Sequence, residues 1–207
     1  MQAYDISGED SPMVHDDRPN LERLGLDDDG ELIGARIVGA RHAGDSFARA
    51  RLVDVDLVRC DLAGCDFSEA NFHRVRLVDC RCIGIELGQA VWHMVTAADC
   101  RLDEANFRLT KLTKVLFDGS ACARADFGGA RLEEVRFPAS DLAGADVSNT
   151  RFAKVDLRGA RLDGLRGIGT MRGATIGVEQ LYGLAPGLAA AVGLTVAADD
   201  DGNAAAI

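Results

Sequence analysis

Six cysteines are the most reactive side chains in this sequence, and three of them are evenly spaced. Cys60, Cys80 and Cys100 lie twenty residues apart. Thiols brought together at such an interval could bind a metal ion or form a ladder of disulfides. A buried thiol also packs as a small apolar group, and Ser120 and Ser140 continue the same series. The spacing therefore favours buried, structural thiols, and we expect no bound metal.

The other candidate catalytic groups do not form a recognisable active site. His73 and His93 are also twenty residues apart, but no third metal ligand is evident, and we interpret the pair as surface packing. The glycines of residues 167–173 lack the G-x-G-x-x-G spacing of a dinucleotide-binding loop. No P-loop, zincin helix or nucleophile elbow occurs. We therefore predict a protein that is not an enzyme and has no cofactor.

A five-residue repeat determines where these side chains must lie. From Leu32 to Leu162 every fifth residue is apolar, except for His42. The residue two positions earlier is small or β-branched nearly every time, and the residue one position earlier is usually charged or asparagine. A period of five fits neither an amphipathic helix nor an alternating strand. Each unit must instead stack on its neighbours to bury its two apolar side chains, as in a solenoid.

The repeat resembles that of the pentapeptide-repeat family, whose consensus is a small residue, Asp or Asn, Leu or Phe, and two variable positions. The closest matches are Ala70-Asn71-Phe72, Ala105-Asn106-Phe107, Ala125-Asp126-Phe127 and Val155-Asp156-Leu157. The resemblance implies an all-β solenoid, a right-handed quadrilateral β-helix with four repeats in each coil. Residues twenty apart should then stack at the ~4.8 Å spacing of paired strands, over about 6.5 coils. Phe107 and Phe127 should lie in one column.

The two ends of the chain depart from the repeat. We predict an acidic, partly disordered N-terminal segment or cap at 1–31, the β-helix at 32–165, a helical cap at 166–196 and a disordered tail at 197–207. Pro186 should open a second short helix in this cap, because proline is tolerated in a first helical turn. The candidate capping and dimerisation residues are apolar side chains near helical spacing: Leu181, Tyr182, Leu184, Leu188 and Val192.

One face of the predicted β-helix is acidic, and the adjacent face is basic. The acidic face is the candidate partner-binding surface, and its residues are Asp66, Glu69, Glu86, Asp126 and Asp146. Two interpretations remain open for its outward column. The carboxylates could present spaced negative charge to a partner, or they could stabilise the turns through hydrogen bonds from side chain to backbone. A stripe of valines on another face, from Val38 to Val78, is a further candidate contact patch.

The sequence therefore predicts a protein-interaction scaffold whose partner is unknown. The family resemblance implies an alternative, because rod-like members of the quinolone-resistance type imitate DNA and bind DNA gyrase or another type II topoisomerase. By that resemblance the acidic column would imitate phosphates, and the C-terminal cap would form a homodimer. The coils carry no inserted loops, as in the mycobacterial type. We expect no direct binding of nucleic acid, no membrane segment and a cytoplasmic location.

Overall fold

The computed structural model describes residues 20–21, 25–26 and 28–197, which form a parallel β-solenoid of about seven turns followed by one helix. The prediction of a pentapeptide-repeat β-helix with a helical cap is confirmed.

A 3-10 helix at Ile168–Thr170 and helix α1 at Val178–Ala191 follow the coils. The strands are β1 Asn20–Leu21, β2 Glu31–Ile33, β3 Arg36–Val38, β4 Arg51–Val53, β5 Asp56–Val58, β6 Asn71–His73, β7 Arg76–Val78, β8 Val91–His93, β9 Thr96–Ala98, β10 Lys111–Asp118, β11 Arg131–Arg136, β12 Arg151–Ala153, β13 Val155–Asp156 and β14 Ala174–Thr175.

Between β2 and β13 each strand pairs in parallel with strands one coil away, at a register of twenty residues. Leu52 in β4 aligns with Leu32 in β2 and with Phe72 in β6. Isolated bridges continue the same register on the remaining faces, as between Asp66 and Glu86. The register places Phe107 directly over Phe127, with parallel rings 4.8 Å apart. One coil therefore contains four pentapeptides, as predicted.

The core is a continuous stack of inward side chains. The large apolar position and the small position before it are both buried through most of the coils, including Trp92, Phe107, Ala105 and Cys80. His42 occupies one of the large positions near the N-terminal end. Its side chain is 10 % exposed, and its Nδ1 lies 2.8 Å from Oδ2 of Asp45. The ring thus has a polar partner at the edge of an otherwise apolar stack.

The corners of the coils use left-handed backbone conformations. In most repeats the second residue after the large apolar one has a positive φ, and many of these residues are not glycine, such as Leu109 at 58° and Lys154 at 55°. Left-handed conformations are costly for residues with a Cβ. The ladder of backbone hydrogen bonds above and below each corner offsets this cost, because Leu109 N–H donates to Gly128 O at 3.0 Å.

Both ends of the solenoid depart from the twenty-residue register. Asn20 in β1 aligns with Arg36 in β3, a separation of sixteen residues. Val155 in β13 aligns with Ala174 in β14, a separation of nineteen. Residues 1–19 of the predicted N-terminal segment and residues 198–207 of the predicted tail at 197–207 lie outside the described residues. The division of the chain into an acidic N-terminal segment, a repeat region, a cap and a tail stays a prediction.

The prediction that Pro186 opens a second helix is wrong. Helix α1 is continuous, and Pro186 lies inside it. Proline removes the bond that its N–H would make to the carbonyl of Tyr182. Leu184 and Leu188, on either side of the proline, both pack against the core. We infer that this packing outweighs the lost backbone bond. Among the described residues, no helix is long and apolar enough to cross a membrane.

Candidate protein-interaction surface

The acidic column runs along one face of the rod with one residue in each coil. Its carboxylates have a structural role. In Asp66, Asp126 and Asp146, Oδ1 accepts a hydrogen bond from the backbone N–H two residues ahead, at 2.7–2.8 Å. Asn106 does the same in its coil, at 3.0 Å. These bonds are the turn-stabilising contacts expected of Asp and Asn.

Cations and an amide also contact this column. Arg108 lies 3.1 Å from Oδ2 of Asp126, and Arg166 lies 3.5 Å from Oδ2 of Asp146. Hydrogen bonds from Ser148, together with the nearby arginines, hold the pKa of Asp146 below its usual value. The side-chain amide of Asn106 donates to Glu86 at 2.6 Å. Among the described carboxylates of this column, only Asp66 and Glu86 have no cation within ion-pair distance.

Glu69, the remaining predicted residue of this face, is exposed at a corner with a φ of 60°. It lies within range of the charge of Arg49. The structure therefore places all five predicted residues along one side of the rod, but their charges are not equivalent. Their role in binding a partner stays a prediction.

Ion pairs between successive coils are a feature that the sequence analysis missed. Among the residues that the structure describes, nine pairs have the acidic residue first and the basic residue twenty positions later. Opposite charges at a separation of twenty residues were the available signal. Most of these side chains are exposed, so each pair contributes little alone. The nine pairs are Asp29–Arg49, Glu31–Arg51, Asp54–Arg74, Asp56–Arg76, Asp61–Arg81, Glu104–Arg124, Glu134–Lys154, Asp141–Arg161 and Asp146–Arg166.

The cysteines are buried, and those in the small inward position donate hydrogen bonds to backbone carbonyls. All six are free thiols. Cys80 Sγ donates to Leu57 O at 3.3 Å, and Ser120 Oγ donates to Ala97 O at 3.0 Å from the equivalent position two coils later. Burial raises the pKa of the Cys65 thiol to about 11. A protonated, buried thiol is a poor nucleophile, so these side chains act as small core groups.

The two histidines stack on the outer surface of β6 and β8. The rings of His73 and His93 are parallel, with centroids 5.1 Å apart. Burial, the guanidinium of Arg74 and the neighbouring His93 lower the pKa of His73. Nδ1 of His93 is buried and has no hydrogen-bond partner among the described residues. No cluster of three or more potential metal ligands occurs in the described part of the chain.

The predicted cap residues divide into two sets. Leu184 is buried, and Leu188 packs partly buried against the core. Leu181, Tyr182 and Val192 face away from the coils and are 45 %, 71 % and 73 % exposed. The end of the rod thus presents an apolar surface, which we call the end patch and define as Val178, Leu181, Tyr182, Val192, Leu194 and Val196. The valine stripe at Val38, Val58 and Val78 is half-buried within its strands.

Comparisons with known proteins find the same repeat in this sequence. The sequence profile for pentapeptide repeats matches eight copies, at residues 46–81 and 120–159. No curated protein matches the sequence. Similar solved structures include HetL, a pentapeptide-repeat protein involved in heterocyst differentiation regulation from the cyanobacterium Nostoc sp., with 18 % identity, a TM-score of 0.48 and coverage of 72 % of this chain and 86 % of that one.

Another similar structure is QnrB1, a plasmid-mediated fluoroquinolone resistance protein. It is 16 % identical, with a TM-score of 0.45 and coverage of 82 % of this chain and 99 % of that one. Such distant likenesses identify neither a partner nor a binding surface. The eight matched repeats lie in coils of twenty residues, so this chain carries pentapeptide repeats folded as a β-helix.

Proposed function

We propose that this chain is a scaffold that binds a protein partner through its outer surface. The observation that carries the proposal is the filled interior of the rod. Inward side chains such as Trp92, Phe107 and Leu102 stack with 0–1 % exposure. Substrate pockets are concave and open to solvent, and the stacked core offers no such space in these coils. We therefore expect the faces and ends of the rod to bind the partner.

A face-by-face capture experiment tests this proposal. Full-length protein and variants altered on one face at a time would be used to isolate partners from the source cell. Each partner would then be purified and its binding measured by calorimetry. We expect one face to account for the loss of binding, with circular dichroism showing that each variant is folded. If no purified candidate partner binds the unaltered protein or any of its variants, the scaffold function is wrong.

The end patch supports a homodimer as part of this function. Its exposed residues, including Leu181 and Tyr182, form an apolar surface of the kind that marks protein contacts. A solution mass measurement tests the proposal, and Tyr182→Glu should shift the mass toward that of a monomer. Ile33→Glu is the matched control, because Ile33 is also exposed, at 57 %, but lies at the other end of the rod. A monomeric mass for the unaltered protein would refute the dimer.

Imitation of DNA toward gyrase is the second candidate function, and the column of carboxylates with one residue per coil favours it. The turn bonds and arginine contacts of Asp126 and Asp146 weigh against it, because charge already paired within the rod is less available to a partner. The test is a gyrase supercoiling assay with and without a quinolone. Asp126→Asn and Asp146→Asn remove charge and keep the turn bond, as Asn106 shows. Gyrase activity unaffected by the unaltered protein would exclude this function.

A further inference from the structure

Three cations begin successive strands on one face of the rod. Lys111 begins β10, Arg131 begins β11 and Arg151 begins β12. The strands pair in parallel, so that Lys111 aligns with Arg131 and Arg131 aligns with Arg151. All three side chains are exposed. Paired strands lie ~4.8 Å apart, so three like charges stand in one line, which we call the cation row.

The cation row departs from the charge pattern of the rest of the rod. Within residues 31–166, all of which the structure describes, every other lysine and arginine is in an ion pair or has an acidic residue one coil away in its own column. Lys114, for example, lies twenty residues before Glu134, and Arg136 aligns with Asp156. The cation row has neither kind of neighbour. Like charges directly opposite each other on paired strands are destabilising.

We propose that the cation row is a docking strip for an extended acidic segment of a protein partner. The inference rests on the proposed scaffold function and specifies the chemistry of the partner. The row covers two strand spacings, roughly 10 Å, and an extended peptide places side chains on one side about every 6.7 Å. Two or three carboxylates on alternate residues of such a segment can therefore meet the three cations. Guanidinium groups bind carboxylates through paired hydrogen bonds, which suits Arg131 and Arg151.

The surroundings of the row favour a narrow ligand over a wide one. On the same strands, Glu133 is exposed, and Glu134 is paired with Lys154 at 3.2 Å. The acidic column, with Asp126 and Asp146, occupies the adjacent face. A nucleic-acid duplex would extend over that column and meet repulsion, and the chain as a whole has a net charge of −10. A single extended peptide chain can contact the row alone.

Fluorescence anisotropy with a labelled peptide of alternating glutamate and serine tests the proposal, with a serine-only peptide as a control. Full-length protein should bind the acidic peptide at low ionic strength, where screening is weakest. The triple variant K111Q/R131Q/R151Q should weaken binding by about tenfold, which corresponds to about 1.4 kcal/mol, or about 0.5 kcal/mol for each of the three lost charge contacts. The charge-preserving variant K111R/R131K/R151K loses the paired hydrogen bonds of two guanidinium groups, but it should retain most of the binding that K111Q/R131Q/R151Q loses.

The matched control is R74Q/R81Q/R161Q, which removes the same number of charges from arginines that are already in ion pairs. This control should weaken binding by less than about twofold, since its guanidinium groups are already satisfied. Equal weakening by the two triple variants would show a net-charge effect and overturn the proposal. Tighter binding of a DNA duplex through the row would also overturn it.

Failure of the proposed function gives a different result. Peptide binding does not depend on a partner from the source cell. If the cation row binds the acidic peptide but no partner can be captured from the source cell, only the scaffold function is contradicted. A captured partner whose affinity is unchanged by the row variants would contradict the docking strip alone.

Discussion

Replacement of Phe107 and Phe127 by leucine measures how strongly the stacked core is coupled from coil to coil. The two side chains are 0 % and 1 % exposed, and their rings are 4.8 Å apart with planes inclined by 3°. Leu87 occupies the same column one coil earlier, which shows that the coil accommodates leucine at this position. Each single substitution removes the ring stack and leaves a small void, so we expect a cost of about 1–2 kcal/mol in the free energy of unfolding.

The double variant F107L/F127L should cost less than the sum of the two single variants. The second substitution has no ring stack left to remove, so the difference should equal the pair energy, about 0.5–1.5 kcal/mol. Urea unfolding followed by circular dichroism gives these free energies. The fluorescence of Trp92, the single tryptophan, gives an independent probe of the core. Coincidence of the two transitions would justify a two-state treatment.

F47L combined with F107L is the control, because Phe47 lies in the same column three coils away. The losses in unfolding free energy caused by these two substitutions should be additive to within about 0.3–0.5 kcal/mol, as they are for independent sites. Additivity of the Phe107 and Phe127 pair to the same accuracy would refute the idea that ring stacking between coils contributes to stability beyond burial.

Three further substitutions probe other parts of the rod. Ser120→Ala should lower the free energy of unfolding in urea by about 1–3 kcal/mol, because Ser120 Oγ accepts a hydrogen bond from the buried N–H of Cys100 at 3.1 Å. Ser120→Cys should lower it by less. His73→Gln should remove a pH dependence of stability. The pKa of His73 is lowered in the folded state, so its contribution to stability is full above the unfolded pKa of about 6.5 and is lost as the pH falls through the folded pKa. If the variant and the unaltered protein show the same pH profile of the melting temperature, this reasoning is wrong. Arg131→Glu places an acid between two cations, so it should raise stability by about 0.2–1 kcal/mol for each cross-strand pair and abolish binding of the acidic peptide.

The fold could be predicted because the repeat constrains every coil in the same way. The five-residue period identifies which side chains face inward, and the alignment of Phe107 with Phe127 confirms the twenty-residue coil. The helical cap was harder to predict. Pro186 is a local signal for a helix start, but the packing of Leu184 and Leu188 is a tertiary effect that the local sequence does not contain.

The charged surface was predictable in position but not in bonding. The sequence places Asp126 in an outward column, but it does not show that one oxygen bonds the turn and the other meets Arg108, eighteen residues earlier. The cation row shows the opposite case. Lys111, Arg131 and Arg151 stand twenty residues apart in the sequence, and they become distinctive only after the charges of all neighbouring coils are compared.

The unbroken register determines how this rod would respond to a change in chain length. Deletion of twenty residues within the repeat region removes one coil, shortens the rod by ~4.8 Å and leaves every later residue on its original side. Deletion of five residues removes a quarter of a coil and turns the whole C-terminal part by one face. The apolar positions would still point inward in both cases. Evolution can therefore rotate one end of this protein against the other in quarter-turn steps without disturbing the interior.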